Sequence, residues 1–536
     1  MLQRLASKIL DQKTSKYLLV FVLLVGFGLK IYFVYYGYIY SHYLVPPGFD
    51  GLPHYLNIKA ILGTAKFDFS LYPPGFYYLV IWLSKLFHRD AFYILTYWTP
   101  MLIVISPVAV YFLLRQLFDL KISVLTTLVF LLASGYPLYA FVDGNYPDML
   151  AYGFFAVLLF AFLIRFFKTH RFANLAVAGV LLLLIAVTHH FTFFIVTAVL
   201  AVFGLVLLFS NRKNLDFILS RKNLGVSILG ILLIILCIYF AFHFYGPVIL
   251  SFAQGFLTSN PALKDTYLNL PVKLADYPSL MGPVVWYLGV AGLFYLIVST
   301  FSEKKDIYTK LLIIVWIVVL YLLSRTSSVA VPGRFARELA VPLVIATGYL
   351  INYLLNLNVS LVSRINLVFG YGLLGYFIIM NSLLYTGIGA LPNSFNEWVW
   401  FWPVDQEKID YMTKNVSSQD PILFNPNANI YTPAKSTNSL IPLAMTKEQK
   451  TIVDSYLLNQ NKANQKAYND LVSNYEEEYP NISYIFIDVK PPSNPDPKTY
   501  PPYADFREKD TVLRAMAARG VVLQTFSDGA ELVKLR

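Results

Sequence analysis

The stretch that decides the fold runs from Val45 to Tyr78, "VPPGFDGLPHYLNIKAILGTAKFDFSLYPPGFYY". It follows an apolar run that begins at Tyr17, and it holds Asp50 and His54 four residues apart, two Pro-Pro pairs and a set of aromatics. A carboxylate and an imidazole at the end of an apolar run raise the question of which membrane face they occupy. Composition supplies the membrane: the 536 residues are 57% hydrophobic and 14% charged, with a mean hydropathy of +0.57. A soluble chain of this length needs a far more polar surface, so the composition predicts a polytopic membrane protein. The net charge of +11 comes mostly from short loops between apolar runs, which is ordinary positive-inside bias and not a nucleic-acid footprint. A single cysteine, Cys237, excludes an intrachain disulfide and a cysteine metal cluster. The basic start "MLQRLASKILDQKTSK" precedes a run too long, and too poor in small residues, for a cleaved signal, so it predicts a retained first span.

Eleven apolar runs are long enough to cross: about 17–40, 92–114, 122–140, 149–167, 173–188, 191–209, 225–245, 282–302, 307–323, 339–355 and 366–387. A twelfth, "YPPGFYYLVIWLSKLF" (Tyr72–Phe87), is short and opens on two prolines. Charge decides its status. If it does not cross and the N-terminus is cytoplasmic, Arg115, Lys121, Arg165, Lys168, Arg171, Arg212, Lys222 and Lys304 all fall inside. If it crosses, the loops from Arg115 to Lys222 move outside, against the positive-inside rule. Residues 72–87 are therefore expected to form a re-entrant or interfacial helix. The same topology puts Asp50 and His54 outside, together with "VDGNYPD" (Asp143, Asp148), "THH" (His189, His190) and "PGRFARE" (Arg334, Arg337, Glu338). Ionisable groups are costly near a bilayer, and their collection at one face points to a site there.

Each group also has a plain structural reading. Asp50 can cap the helix predicted from "DGLPHYLNIKAIL". "VDGNYPD" has turn chemistry in Asp-Gly, Asn and Pro, and "THH" can be a polar hairpin corner. Arg334 can pair with Glu338 at i, i+4. Against these, two carboxylates at one cleft can divide the work of accepting a proton and orienting a partner. Arginine on the outer face matches a phosphate through its forked donors.

From residue 391 to the end the composition turns polar. "ILF" (422–424), "ISYIFIDV" (482–489) and "VVLQTF" (521–526) read as strands, and Val404–Asn415 and "DTVLRAMAARG" as helices, the last closed by Gly520. This predicts a small soluble α/β domain with a partly parallel sheet over 391–536, after a membrane domain over 1–390. It has no glycine-rich phosphate loop, nucleophile elbow or zinc-ligand spacing, so it reads as a cover or recognition module.

An acidic residue after the first span, an outer-loop helix, "YPPGFYYL" opening a short apolar helix, "VDGNYPDML" before a span, the "THH" corner and "RFARELAVPL" together resemble the GT-C membrane glycosyltransferases. Among these the lipid-phosphosugar-dependent mannosyl- and arabinosyl-type enzymes are the nearest in layout. The resemblance covers residues 1–390 and implies a helical membrane domain of about eleven spans plus the interfacial helix. It implies Asp50 as catalytic base, Asp143 or Asp148 as second carboxylate, and Tyr72 with Pro73 and Pro74 at the cleft floor. It further implies Arg334 or Arg337 on the lipid-linked phosphate, with His54, His189 and His190 as substrate contacts. The first loop lacks a D-x-D or E-x-D pair, so the sequence assigns no metal ligands and leaves a divalent metal open. The W-W-D-Y-G motif of the oligosaccharyltransferases is missing as well. The resulting expectation is an inverting transferase at the outer face of a cell membrane. It would use a polyprenyl-phosphate sugar donor and a lipid, glycan or protein acceptor, with the C-terminal domain extracytoplasmic. The rival class is a lipid or glycan transporter, which predicts ionisable groups at mid-membrane and an internal repeat.

Overall fold

The computed structural model describes residues 12–40, 51–62, 73–210, 239, 270–302, 306–326, 331–356, 403–417, 420–425, 440–487, 506–527 and 529–535. Asp50, Tyr72, the run 366–387 and all of 225–245 except residue 239 lie outside them. The chain divides into two compact units, Met1–Trp398 and Val399–Arg536.

The first unit is helical: α1 Gln12–Tyr40, α2 Gly51–Leu62, α3 Gly75–Phe87, α4 Ala91–Trp98, α5 Leu102–Leu117, α6 Leu120–Ala133, α7 Leu138–Val142, α8 Tyr146–Leu150, α9 Val157–Thr169, α10 Phe172–Thr188, α11 His190–Ser210, α12 Tyr277–Met281, α13 Pro283–Ser302, α14 Ile307–Ser324, α15 Pro332–Glu338 and α16 Ala340–Asn356. A 3-10 turn, Thr99–Met101, joins α4 to α5, and a π-turn, Ala151–Ala156, joins α8 to α9. Among the described residues six helices are long and apolar enough to cross a membrane: Ala91–Leu117, Tyr146–Thr169, His190–Leu207, Pro283–Ser302, Ile307–Ser324 and Pro332–Asn356. Gly75–Phe87 has 13 residues, about 20 Å of helix against a hydrocarbon core of about 30 Å.

Two boundaries differ from the sequence reading. The run 122–140 is not one helix: α6 stops at Ala133, where Gly135 donates its N–H to Met281 O (3.0 Å), and a turn with a cis Tyr136–Pro137 bond leads to α7. The run 339–355 begins earlier, because Pro332, at a helix start where its missing N–H costs nothing, opens α15. Lys30 lies within α1 and is buried; Arg212, Lys222 and Lys304 lie outside the described residues.

Helix polarity and contacts sort the loops into two ends. Asp119 caps α6 by accepting from the Ile122 N–H (2.9 Å), Lys168 Nζ donates to Gln116 O (2.6 Å), and the Phe118 and Tyr349 rings meet at 4.8 Å. The loops with Arg115, Lys121, Lys168 and Arg171 therefore share one end. The opposite end gathers residues 134–148, the 188–192 corner and the start of α15. There Gly75 fits because any Cβ would lie 2.5 Å from Val187 O, so α3 begins against the end of α10.

In the second unit a five-stranded sheet has the order β2-β1-β3-β5-β4, from β1 Ile422–Phe424, β2 Leu440–Pro442, β3 Tyr484–Ile487, β4 Val521–Thr525 and β5 Glu531–Lys534. β1 pairs parallel with β2 and β3, while β5 pairs antiparallel with β3 and β4. Helices α17 Pro403–Asn415, α18 Lys447–Leu458, α19 Lys462–Glu478 and α20 Phe506–Ala517 accompany it. One core joins Leu423, Ile485 and Val533 to Val453, Leu471, Tyr475 and Val512; a second joins Met412 to Ile422, Phe486 and Leu532. The fully buried β1 and β3 explain why they read as continuous apolar runs. The short β2 and β5 gave no such signal.

Candidate functional site

His54 ties three segments together. Its Nε2 donates to Gly144 O (3.0 Å), leaving Nδ1 to accept from the Tyr77 hydroxyl (3.1 Å), whose oxygen accepts from Asn57 Nδ2 (2.8 Å). These bonds link α2, α3 and the 143–148 turn, and they fix one neutral tautomer. Burial pushes the His54 imidazole down to about 3, with the Arg334 charge acting in the same direction. His54, expected to touch substrate, is thus an internal anchor for the helix that Asp50 immediately precedes. Gly144 is required in the turn by its φ of 79°, where a side chain would be strained. Tyr77 and Asn57 were missed by the sequence reading; both lie inside the quoted opening stretch.

The two carboxylates of the turn point to different partners. Asp143 forms an ion pair with Arg337, which also reaches Tyr139 O at 3.4 Å. Asp148 is buried: its Oδ1 accepts from Thr192 Oγ1 (2.9 Å) and lies 3.4 Å from His189 Nδ1. Thr192 in turn holds His189, with Oγ1 2.8 Å from Nδ1. Asp148, and not Asp143, is the carboxyl tied to the histidine corner. The His190 ring lies 5.5 Å from that of His189, tilted by 45°.

The arginines divide in the same way. Arg337 is engaged by Asp143; Arg334, on the same helix α15, has an aromatic neighbour. Its guanidinium lies over the Phe191 ring at 5.9 Å, a contact that holds a planar cation without neutralising it. Its charge is felt at His54, Asp148, His189, His190 and Glu338. The i, i+4 pair of Arg334 with Glu338 is not made: Glu338 is buried and its carboxyl faces Asp148. Its near neighbours in charge are Asp148, Arg337 and Arg334.

Among the described residues no group of three His, Cys, Asp or Glu is placed to hold a metal ion. Asp148 and His189 offer two donors that already meet each other.

No family model and no curated protein matches the sequence. The structure is similar to the oligosaccharyltransferase AglB of Archaeoglobus fulgidus in complex with an inhibitory peptide and a dolichol-phosphate, at a TM-score of 0.59 and 13% identity, over 97% of this chain and 74% of that one. It is similar to ArnT of Cupriavidus metallidurans bound to undecaprenyl phosphate, at a TM-score of 0.56 and 14% identity, over 98% and 99% of the two chains. Another A. fulgidus structure, a complex with Zn and sulfate, aligns at a TM-score of 0.56 and 12% identity, over 87% and 67%. The chain shares the fold of these proteins, and the layout expected for residues 1–390 agrees with it at the level of fold.

Proposed function

We propose that this chain is a membrane glycosyltransferase that moves a sugar from a polyprenyl-phosphate donor to an acceptor hydroxyl at the extracytoplasmic face. One observation carries the reading: in a GT-C fold, a buried Asp148–Thr192–His189 cluster and the Arg334 cation meet at the end opposite the basic loops. The fold neighbours were solved with a dolichol-phosphate and with undecaprenyl phosphate, which supports a lipid phosphate as the shared ligand chemistry.

In this reading Asp50 takes the proton of the acceptor hydroxyl as its oxygen attacks the anomeric carbon. The bond from that carbon to the phosphate oxygen breaks on the opposite side, and the electron pair leaves with the polyprenyl phosphate. An in-line displacement inverts the anomeric centre. Charge grows on the departing phosphate, and a fixed guanidinium in a half-dry cleft stabilises it at that moment. Arg334, held over the Phe191 ring beside the histidine corner, takes this role. Asp148 and His189 orient the sugar or acceptor hydroxyls, and His54 keeps α2 seated. By the positive-inside rule the basic end is cytoplasmic, with the C-terminal unit outside.

The test is transfer from a radiolabelled polyprenyl-phosphate sugar by the protein in lipid nanodiscs, with cell-envelope lipids and glycans as acceptors. Asp50→Asn is expected to lose at least 100-fold in rate while still binding undecaprenyl phosphate. Wild-type rate in Asp50→Asn would remove Asp50 as the base.

A further inference from the structure

The helix that carries Arg334 ends on a carbonyl that its own chain cannot satisfy. In a continuous helix Glu338 O accepts from the N–H four residues on, but residue 342 is proline and has none. The carbonyl is deep inside the bundle, and Glu338 is 1% exposed, so water does not replace the missing donor. Tyr152, from the far side of the bundle in sequence, supplies it: its hydroxyl donates to Glu338 O at 2.9 Å. The same hydroxyl oxygen accepts from Trp316 Nε1 at 3.1 Å, so the indole fixes which way the phenol proton points.

The local structure around Tyr152 is adapted to this reach. Tyr152 lies in the π-turn Ala151–Ala156, the kind of one-residue helix expansion that re-aims a side chain. Beside it Gly153 lets the neighbouring helix come close, since a Cβ there would lie 2.3 Å from Ser106 Oγ. Trp316 is fully buried and held against Phe160 with ring centroids 4.1 Å apart. A strut therefore runs from α14 through the π-turn to the junction of α15 and α16.

We propose that Tyr152 is a positioning residue: its hydroxyl replaces the hydrogen bond that Pro342 removes and so holds α15, with Arg334 four residues before Glu338, in register with the donor phosphate. This rests on the assignment of Arg334 to the phosphate. Without the strut α15 can tilt at the proline, and Arg334 moves with it.

The probe is undecaprenyl phosphate, with its affinity for the full-length detergent-solubilised protein read by native mass spectrometry. Arg334→Ala is expected to weaken binding at least tenfold. Tyr152→Phe removes one oxygen and keeps the ring; it is expected to weaken binding fivefold or more at a temperature well below unfolding. Pro342→Ala restores an N–H to residue 342, and in that background Tyr152→Phe is expected to cost less than twofold. Should Pro342→Ala fail to fold, Pro342→Ser supplies the same N–H. Wild-type affinity in Tyr152→Phe beside a weakened Arg334→Ala overturns the strut. An equal loss from Tyr152→Phe in both backgrounds also overturns it, because Tyr152 would then act through something other than the proline gap. Wild-type affinity in Arg334→Ala removes the phosphate assignment first, and the positioning role with it.

Discussion

At the scale of residues, the imidazole of His54 shows how a polar group at a membrane edge can be structural without being inert. Both ring nitrogens are bonded within the protein, and the ring resists protonation down to about 3 against an ordinary 6.5. The unfolded chain takes up a proton between those values and the folded chain does not, so stability is full above pH 6.5 and falls as pH is lowered. One such group contributes a slope of about 1.4 kcal/mol per pH unit. Thermal unfolding of the solubilised protein from pH 8 to pH 4.5 should show this slope in the wild type. His54→Gln, which keeps a donor for Gly144, should show a shallower one; identical slopes would mean that His54 does not set the acid sensitivity. Glu338 gives the converse case. A buried carboxyl beside a second acid is costly. Glu338→Gln keeps the shape and brings two donors to Asp148, so it is expected to leave stability unchanged or raise it by about 1 kcal/mol, read as an upward shift in Tm. A large fall in Tm would show that the charge itself is used.

At the scale of elements, close backbone approach decides where the short helix of the opening stretch can sit. Gly75 faces Val187 O with room for a hydrogen only. A Cβ 2.5 Å from a backbone oxygen forces α3 and α10 apart, so Gly75→Ala is expected to cost about 1–3 kcal/mol and to loosen the anchor between Tyr77 and His54. Unfolding midpoints of Gly75→Ala against Ser84→Ala, on the same helix away from that contact, separate the two effects. The sequence made this element legible because Pro-Pro followed by an apolar run of one helix-length has few other readings. The "VDGNYPD" turn was legible for the same reason. What stayed hidden were relations between distant segments: Asp143 with Arg337, 194 residues apart, and Tyr152 with Glu338, 186 apart. Local chemistry could not say which carboxylate faced inward, since Asp143 and Asp148 sit in one turn. Pro342 lies within the quoted "RFARELAVPL", but its missing bond gains meaning only with Tyr152 beside it. In the tail, β2 and β5 were hidden because strands of three and four residues carry too little periodicity to register.

At the scale of the whole molecule, the two ends of one bundle have opposite character. Basic loops near Arg115 and Lys168 meet at one end, while the carboxylates, histidines and Arg334 meet at the other. The positive-inside rule predicts the first end in the cytoplasm, and the proposed transfer requires the second end to face out. The lone cysteine makes this directly testable. In a Cys237→Ser background, Ser279→Cys places one thiol at an exposed position of α12, the short helix whose Met281 carbonyl accepts from Gly135 at the site end. His170→Cys places one at an exposed position of the basic end. Intact cells treated with a membrane-impermeant maleimide should label Ser279→Cys fully and His170→Cys only after lysis. The reverse pattern would put the site in the cytoplasm, where the donor would have to be presented on the inner leaflet, and the proposed extracytoplasmic transfer would be wrong. Labelling of both from outside would break the two-ended bundle itself, because the two positions would then lie at one face.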